Sequence, residues 1–97
     1  MASRRMTRKE NRRAAVSYVI GQIGSDMFTT AEVWETGRRM LLTGLPWPRG
    51  LKNGWKSLRS AQHVGNVLAR HPAYERADEG KNSHYIDETR TALWISR

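Results

Sequence analysis

Arg59, Gln62, His63, Asn66 and Arg70 recur at intervals of three and four, and the apolar Ala61, Val64 and Leu68 fall between them. Residues three and four apart share one face of a helix. The spacing therefore predicts a helix with one apolar side and one side of guanidinium, amide and imidazole groups. Arg, Gln and Asn are the side chains that make paired hydrogen bonds to guanine and adenine edges in the major groove of duplex DNA. No carboxylate stands in this row to repel phosphate. A polar row of this kind is also what an ordinary solvated helix presents, so its meaning depends on the charges around it.

Those charges are strongly one-sided. The 97 residues carry a formal net charge of +8, and between Glu35 and Glu75 there is no acidic residue. Arg38, Arg39, Arg49, Lys52, Lys56, Arg59 and Arg70 all lie in that interval. Near the start, Arg4, Arg5, Arg8, Lys9, Arg12 and Arg13 are relieved only by Glu10, whereas the last quarter is close to balanced. Such a field attracts polyanions and raises their association rate. Arg4, Arg5, Arg8, Arg12, Arg13, Arg49, Lys52 and Lys56, with the hydroxyl of Ser60, are the candidate phosphate contacts. Arg49, Lys52 and Lys56 alternate with Trp47 and Trp55. Interleaved cations and aromatics suit stacking on unpaired bases, and they also suit tryptophans that anchor a long loop to the core. The second role is preferred for the tryptophans, and phosphate contact for the cations.

Patterns that would carry catalysis break on spacing. Gly50 to Ser57 resembles a phosphate-binding loop, but Trp55 separates the second glycine from the lysine, and the glycines stand too close together. His63, His71 and His84 are the only imidazoles, without paired-ligand spacing, and there is no cysteine. The reading is of a protein that is not an enzyme, with no metal, no cofactor and no evident small-molecule substrate. Apolar runs are far shorter than the roughly 20 residues that span a bilayer, so no membrane partner is expected. An absence of cysteine suits a reducing compartment, which points to an intracellular protein.

Several elements must position these groups. Residues 1–6 read as a flexible basic arm and 7–97 as one domain. Thr7 and Glu10 form a capping box that opens a first helix over Arg8 to Ile23, with Val16, Val19, Ile20 and Ile23 on its apolar stripe and Gly24 as its stop. Met27 to Thr29 is extended. Thr29 and Glu32 form a second capping box for a helix with Val33, Trp34 and Leu41 inward, weakened by Gly37. Pro46, Pro48, Gly50 and Asn53-Gly54 make a loop of about 42–57. A third helix begins near Ser57 or Ser60 and stops before Pro72, with Gly65 permitting close approach of another helix. Tyr74 to Ala77 and a stretch within His84 to Ser96 then form a β-hairpin around the polar Asp78 to Ser83.

This order of helix, short strand, two helices and hairpin resembles a winged helix-turn-helix domain. The resemblance covers roughly Thr7 to Ser96. It rests on Phe28-Thr29-Thr30-Ala31-Glu32-Val33, on Ser60 to Leu68, and on Tyr74-Glu75-Arg76 ahead of a polar hairpin. The long connection rich in Trp, Pro and Gly departs from the short turn usual in that family. The resemblance implies a mainly α, α+β fold of three helices with a C-terminal wing. It also implies Arg59, Gln62, His63, Asn66 and Arg70 as base-reading residues, and a wing in which Lys81, Asn82 and Arg90 touch the adjacent backbone or the minor groove.

The expected function is duplex DNA binding. The protein would be a small transcriptional regulator or accessory factor of phage or viral type, working as a homodimer if its site is palindromic, in the cytoplasm or a host's cytoplasm. Two alternatives stay open at this point: a basic protein bound to RNA or the ribosome, and a winged helix that grips a protein partner.

Overall fold

A computed structural model describes residues 7–77, 84–86 and 89–97. Arg4, Arg5, Lys81 and Asn82, together with the arm of residues 1–6, lie outside the described residues. Among the described residues the fold is mixed α and β: four helices, a three-stranded antiparallel sheet and a separate two-stranded ladder.

Local capping chemistry sets where the first helices begin. α1 spans Arg8–Ile23; the Thr7 hydroxyl accepts the Glu10 N–H at 3.1 Å, and the Glu10 carboxylate accepts the Thr7 N–H at 3.3 Å. Gly24 closes it at φ 74°, a left-handed conformation that favours glycine. β1 is Met27–Thr29 and α2 is Thr30–Leu42, opened by the reciprocal Thr29–Glu32 box. A short α3 spans Leu51–Lys56, and α4 spans Ala61–Arg70, where the Ser60 hydroxyl accepts the His63 N–H at 3.4 Å. β2 (Tyr74–Arg76), β3 (His84–Ile86), β4 (Thr89–Thr91) and β5 (Leu93–Ser96) complete the chain.

β5 is the centre of the sheet, with β1 and β2 antiparallel on either side. Trp94 is the partner of Phe28 across one ladder and of Arg76 across the other. The Trp94 indole N–H donates to the Thr30 hydroxyl at 2.7 Å, and the Thr30 N–H donates to the Ala92 carbonyl at 3.0 Å, so the start of α2 is pinned to the sheet. Val16, Val19, Phe28, Val33, Val64 and Leu68 are fully enclosed between the helices and this sheet. Among the described residues, no helix is long and apolar enough to cross a membrane.

Three expectations need correction. There are four helices rather than three, because the connection read as loop contains α3. Asn53-Gly54 looks like a turn, yet Gly54 has no positive φ. Its missing Cβ instead admits the backbone of Asn11, which an added methyl would strike as α3 packs along α1. Second, the single hairpin is divided: β2 pairs with β5, β3 with β4, and β1 joins the sheet as a third strand. Third, Gly65 does face a second helix through Thr30, but an added Cβ would meet the Thr30 methyl at an ordinary 3.7 Å, so glycine is not demanded there.

Gly37 is the glycine that packing demands. A Cβ there would overlap the indole of Trp55, which is 1% exposed. Trp34 stacks on Trp55 with centroids 5.9 Å apart, Trp47 lies 6.1 Å away, and Tyr18 lies 5.7 Å from Trp47. This chain of rings holds the connection between α2 and α4 against α1 and α2. The tryptophans therefore take the anchoring role.

Candidate nucleic-acid interface

α4 buries Val64 and Leu68 and leaves Gln62, His63, Asn66 and Arg70 exposed. Four of the five predicted base-reading residues thus share its outer face. Arg59 differs: Ser60 is the extended N-cap (φ −162°, ψ 167°), so Arg59 precedes the helix instead of riding on it. Its backbone N–H donates to His63 Nδ1 at 3.1 Å, which keeps it beside the row. That bond also sets the tautomer of His63, because an acceptor Nδ1 leaves the proton of the neutral ring on Nε2.

On one flank of α4 the first turns of α1 come alongside. Lys9, Arg12 and Arg13 from α1 enclose, with Leu58, His63, Asn66, Val67 and Arg70, a cleft of about 290 Å³. None of these lining residues is a carboxylate. Arg12 Nε donates to the Ser57 hydroxyl at 2.8 Å, and that hydroxyl donates to the Gly54 carbonyl at 2.7 Å. α3 therefore braces the guanidinium through Ser57. Lys52 and Lys56 on α3, Arg49 just before it, and Arg8 at the start of α1 are all exposed. The Ser60 hydroxyl is occupied as the α4 cap.

The other flank carries a wider groove of about 460 Å³, where Ala61, Gly65 and Ala69 of α4 face Ala31, Ala92 and Trp94. Arg76 lies in this groove with its guanidinium 5.5 Å above the Trp94 ring. Asn66 borders both depressions and stands on the ridge between them. Lys9 and Arg76 were not among the expected contacts. Lys9 is visible in the basic run, but its approach to α4 depends on how two distant helices cross. Arg76 depends on strand register. Arg90, assigned to the wing, lies in β4 opposite Tyr85.

Glu32 and Glu35 keep to another region, whereas Glu10 stays in the first turn of α1 as part of its cap. Glu32 and Glu35 border a groove of about 660 Å³ between the last turn of α1 and α2, which shares no residue with the cleft between α1 and α4 and only Ala31 with the groove beside Trp94. Leu42, 82% exposed, and Leu45 are large apolar side chains left in contact with solvent.

A histidine that resembles a catalytic base lies under α1. His71 Nε2 is 2.9 Å from the Ser17 hydroxyl, while Nδ1 accepts the Ala73 N–H at 3.1 Å. The neutral ring thus carries its proton towards Ser17 and donates to it, which is the wrong polarity for activating a nucleophile. Burial, and secondarily the nearby Arg13, hold His71 below the ordinary 6.5. Protonation is therefore favoured in the unfolded chain, and stability should fall as pH drops through about 6.5 towards the lower folded value. Thermal melting across pH 7.5 to 5 should show this decline in the wild type and a flatter profile in His71→Gln; identical slopes would count against a buried neutral ring.

Set against family models, curated proteins and solved structures, the chain matches none of them.

Proposed function

We propose that this chain is a duplex DNA-binding protein of winged helix-turn-helix form, a small regulator or accessory factor that acts by occupying its site. The observation that carries the reading is the continuity of the exposed row on α4 with a cationic cleft supplied by α1, without a carboxylate between them among the described residues. The element order and the β1-β5-β2 sheet also suit that fold, in which the helix before the wing enters the major groove.

In this reading α4 lies in the major groove. Asn66, central on the ridge, pairs with an adenine edge, and Arg70 and Arg59 reach guanines on either side of it. Lys9, Arg12 and Arg13 meet phosphates along one strand. Arg8, Lys52 and Lys56 extend the positive surface beyond them. Selection of a preferred duplex, followed by titration across a salt series, tests the proposal. Asn66→Ala should cost about 1–3 kcal/mol at one base position and leave other positions unchanged. Equal affinity for RNA or single strands, or indifference to Asn66, would remove α4 from the major groove.

A further inference from the structure

The cleft between α1 and α4 has properties that contact with a continuous duplex strand does not require. We propose that it is a binding site for a phosphomonoester, the dianionic group carried by a free nucleotide or by the 5′ end of a DNA strand. This goes beyond duplex binding by α4 and does not depend on it.

Donors converge on this cleft, and two of them have their orientation set in advance. The Ser57 hydroxyl takes Arg12 Nε, leaving the terminal N–H groups of the guanidinium as a fork aimed by that bond. His63 has Nδ1 committed to the Arg59 N–H, so Nε2 carries the donor of the neutral ring. Asn66 adds an amide, and Lys9, Arg13 and Arg70 bring positive charge. Among the described residues, no carboxylate lines the cleft to accept these donors.

Shape narrows the ligand. A phosphodiester within a duplex has one negative charge and two free oxygens, and it lies on the convex outside of the helix. A monoester has up to two negative charges and three strong acceptor oxygens, which matches a concave site with several cations. Leu58 and Val67 form an apolar floor beneath the donors. That floor suits the sugar or the face of a base, as the apolar lining of most ligand sites does. The volume of about 290 Å³ is enough for a group of nucleotide size.

The test uses the full chain and follows the His63 and Asn66 resonances while inorganic phosphate, a deoxynucleoside 5′-monophosphate or dimethyl phosphate is added. The two monoesters should shift both signals saturably, and the diester should not. Arg12→Lys, which keeps the charge but loses the fork, and Asn66→Ala, an exposed change that leaves the core intact, should each weaken the monoester about five- to tenfold. Tighter binding of a 5′-phosphorylated duplex than of its 5′-hydroxyl counterpart would identify the strand end as the source. Nucleotide binding without that difference would identify the free nucleotide. Equal response to dimethyl phosphate, or no saturable shift with either monoester, overturns the proposal. Because the phosphate and nucleotide arms contain no duplex, their result stands apart from the fate of the duplex reading.

Discussion

Truncating Trp55 to alanine is expected to lower the stability of the domain by about 3–5 kcal/mol, the range for removing a large aromatic from a closed core. Small domains hold only about 5–15 kcal/mol in total, so the variant should be extensively unfolded at moderate denaturant. The cause is specific to this indole. It lies on the bare backbone of Gly37, beneath Trp34 and beside Trp47, and it ties α3 to α1 and α2. Gly37→Ala gives the sharper test. Alanine is the better helix former by about 1 kcal/mol, so a helix surface would be stabilised by the change. Here the methyl displaces the indole, and overpacking of about 1–3 kcal/mol should outweigh the gain. Urea denaturation followed by tryptophan fluorescence measures both variants. A Gly37→Ala protein more stable than wild type would show that the ring does not rest there.

The features legible in the sequence were those whose cause is local. Thr7 with Glu10 and Thr29 with Glu32 satisfy backbone donors within one turn, so the starts of α1 and α2 could be read from a few letters. Gly24 acts through its own φ, and it too was legible. Gly54 and Gly37 are glycines for the sake of a partner far along the chain, Asn11 for one and Trp55 for the other. Nothing nearby distinguishes such a glycine from a turn signal or a weak point in a helix, and α3 was missed for that reason. The interface divides along the same line. The row on α4 follows from helical spacing, and Arg12 and Arg13 were recognisable as cations. Their meeting with Asn66 and Arg70 is a product of helix crossing, and the position of Arg76 over Trp94 is a product of strand register.

Replacing Lys9, which is exposed, and the half-buried Arg12 and Arg13 together with glutamine is expected to weaken duplex binding roughly ten- to a hundredfold at low salt, at up to about 1 kcal/mol for each contact. If each side chain neutralises one phosphate, the slope of log affinity against log salt should also become shallower by about 2.7. The loss should fall alike on every duplex sequence, in contrast to Asn66→Ala. Fluorescence anisotropy at several salt concentrations, with preferred and random duplexes, separates the two behaviours. An unchanged slope would mean that these cations do not meet phosphate, and the duplex would have to approach from another side. Melting the variant beforehand separates a lost contact from a lost fold, since Arg12 also takes part in the hydrogen-bond chain through Ser57 to Gly54.

The opposite ends of α1 carry opposite surroundings. Lys9, Arg12 and Arg13 outnumber Glu10 in its first turns, whereas Asp26 follows its end, and Glu32 and Glu35 outnumber Arg39 around the groove beside Gln22 and Ile23. Arg12 and Gln22 are separated by roughly 15 Å along the helix axis, which exceeds the screening length of about 8 Å at physiological ionic strength. The two ends are therefore felt separately. On the duplex-binding proposal, a nearby polyanion would draw the first turns of α1 more strongly than its last turn, favouring approach with the mouth of the cleft leading. Orientation, usually the slow part of a docking search, would then be partly settled in free solution.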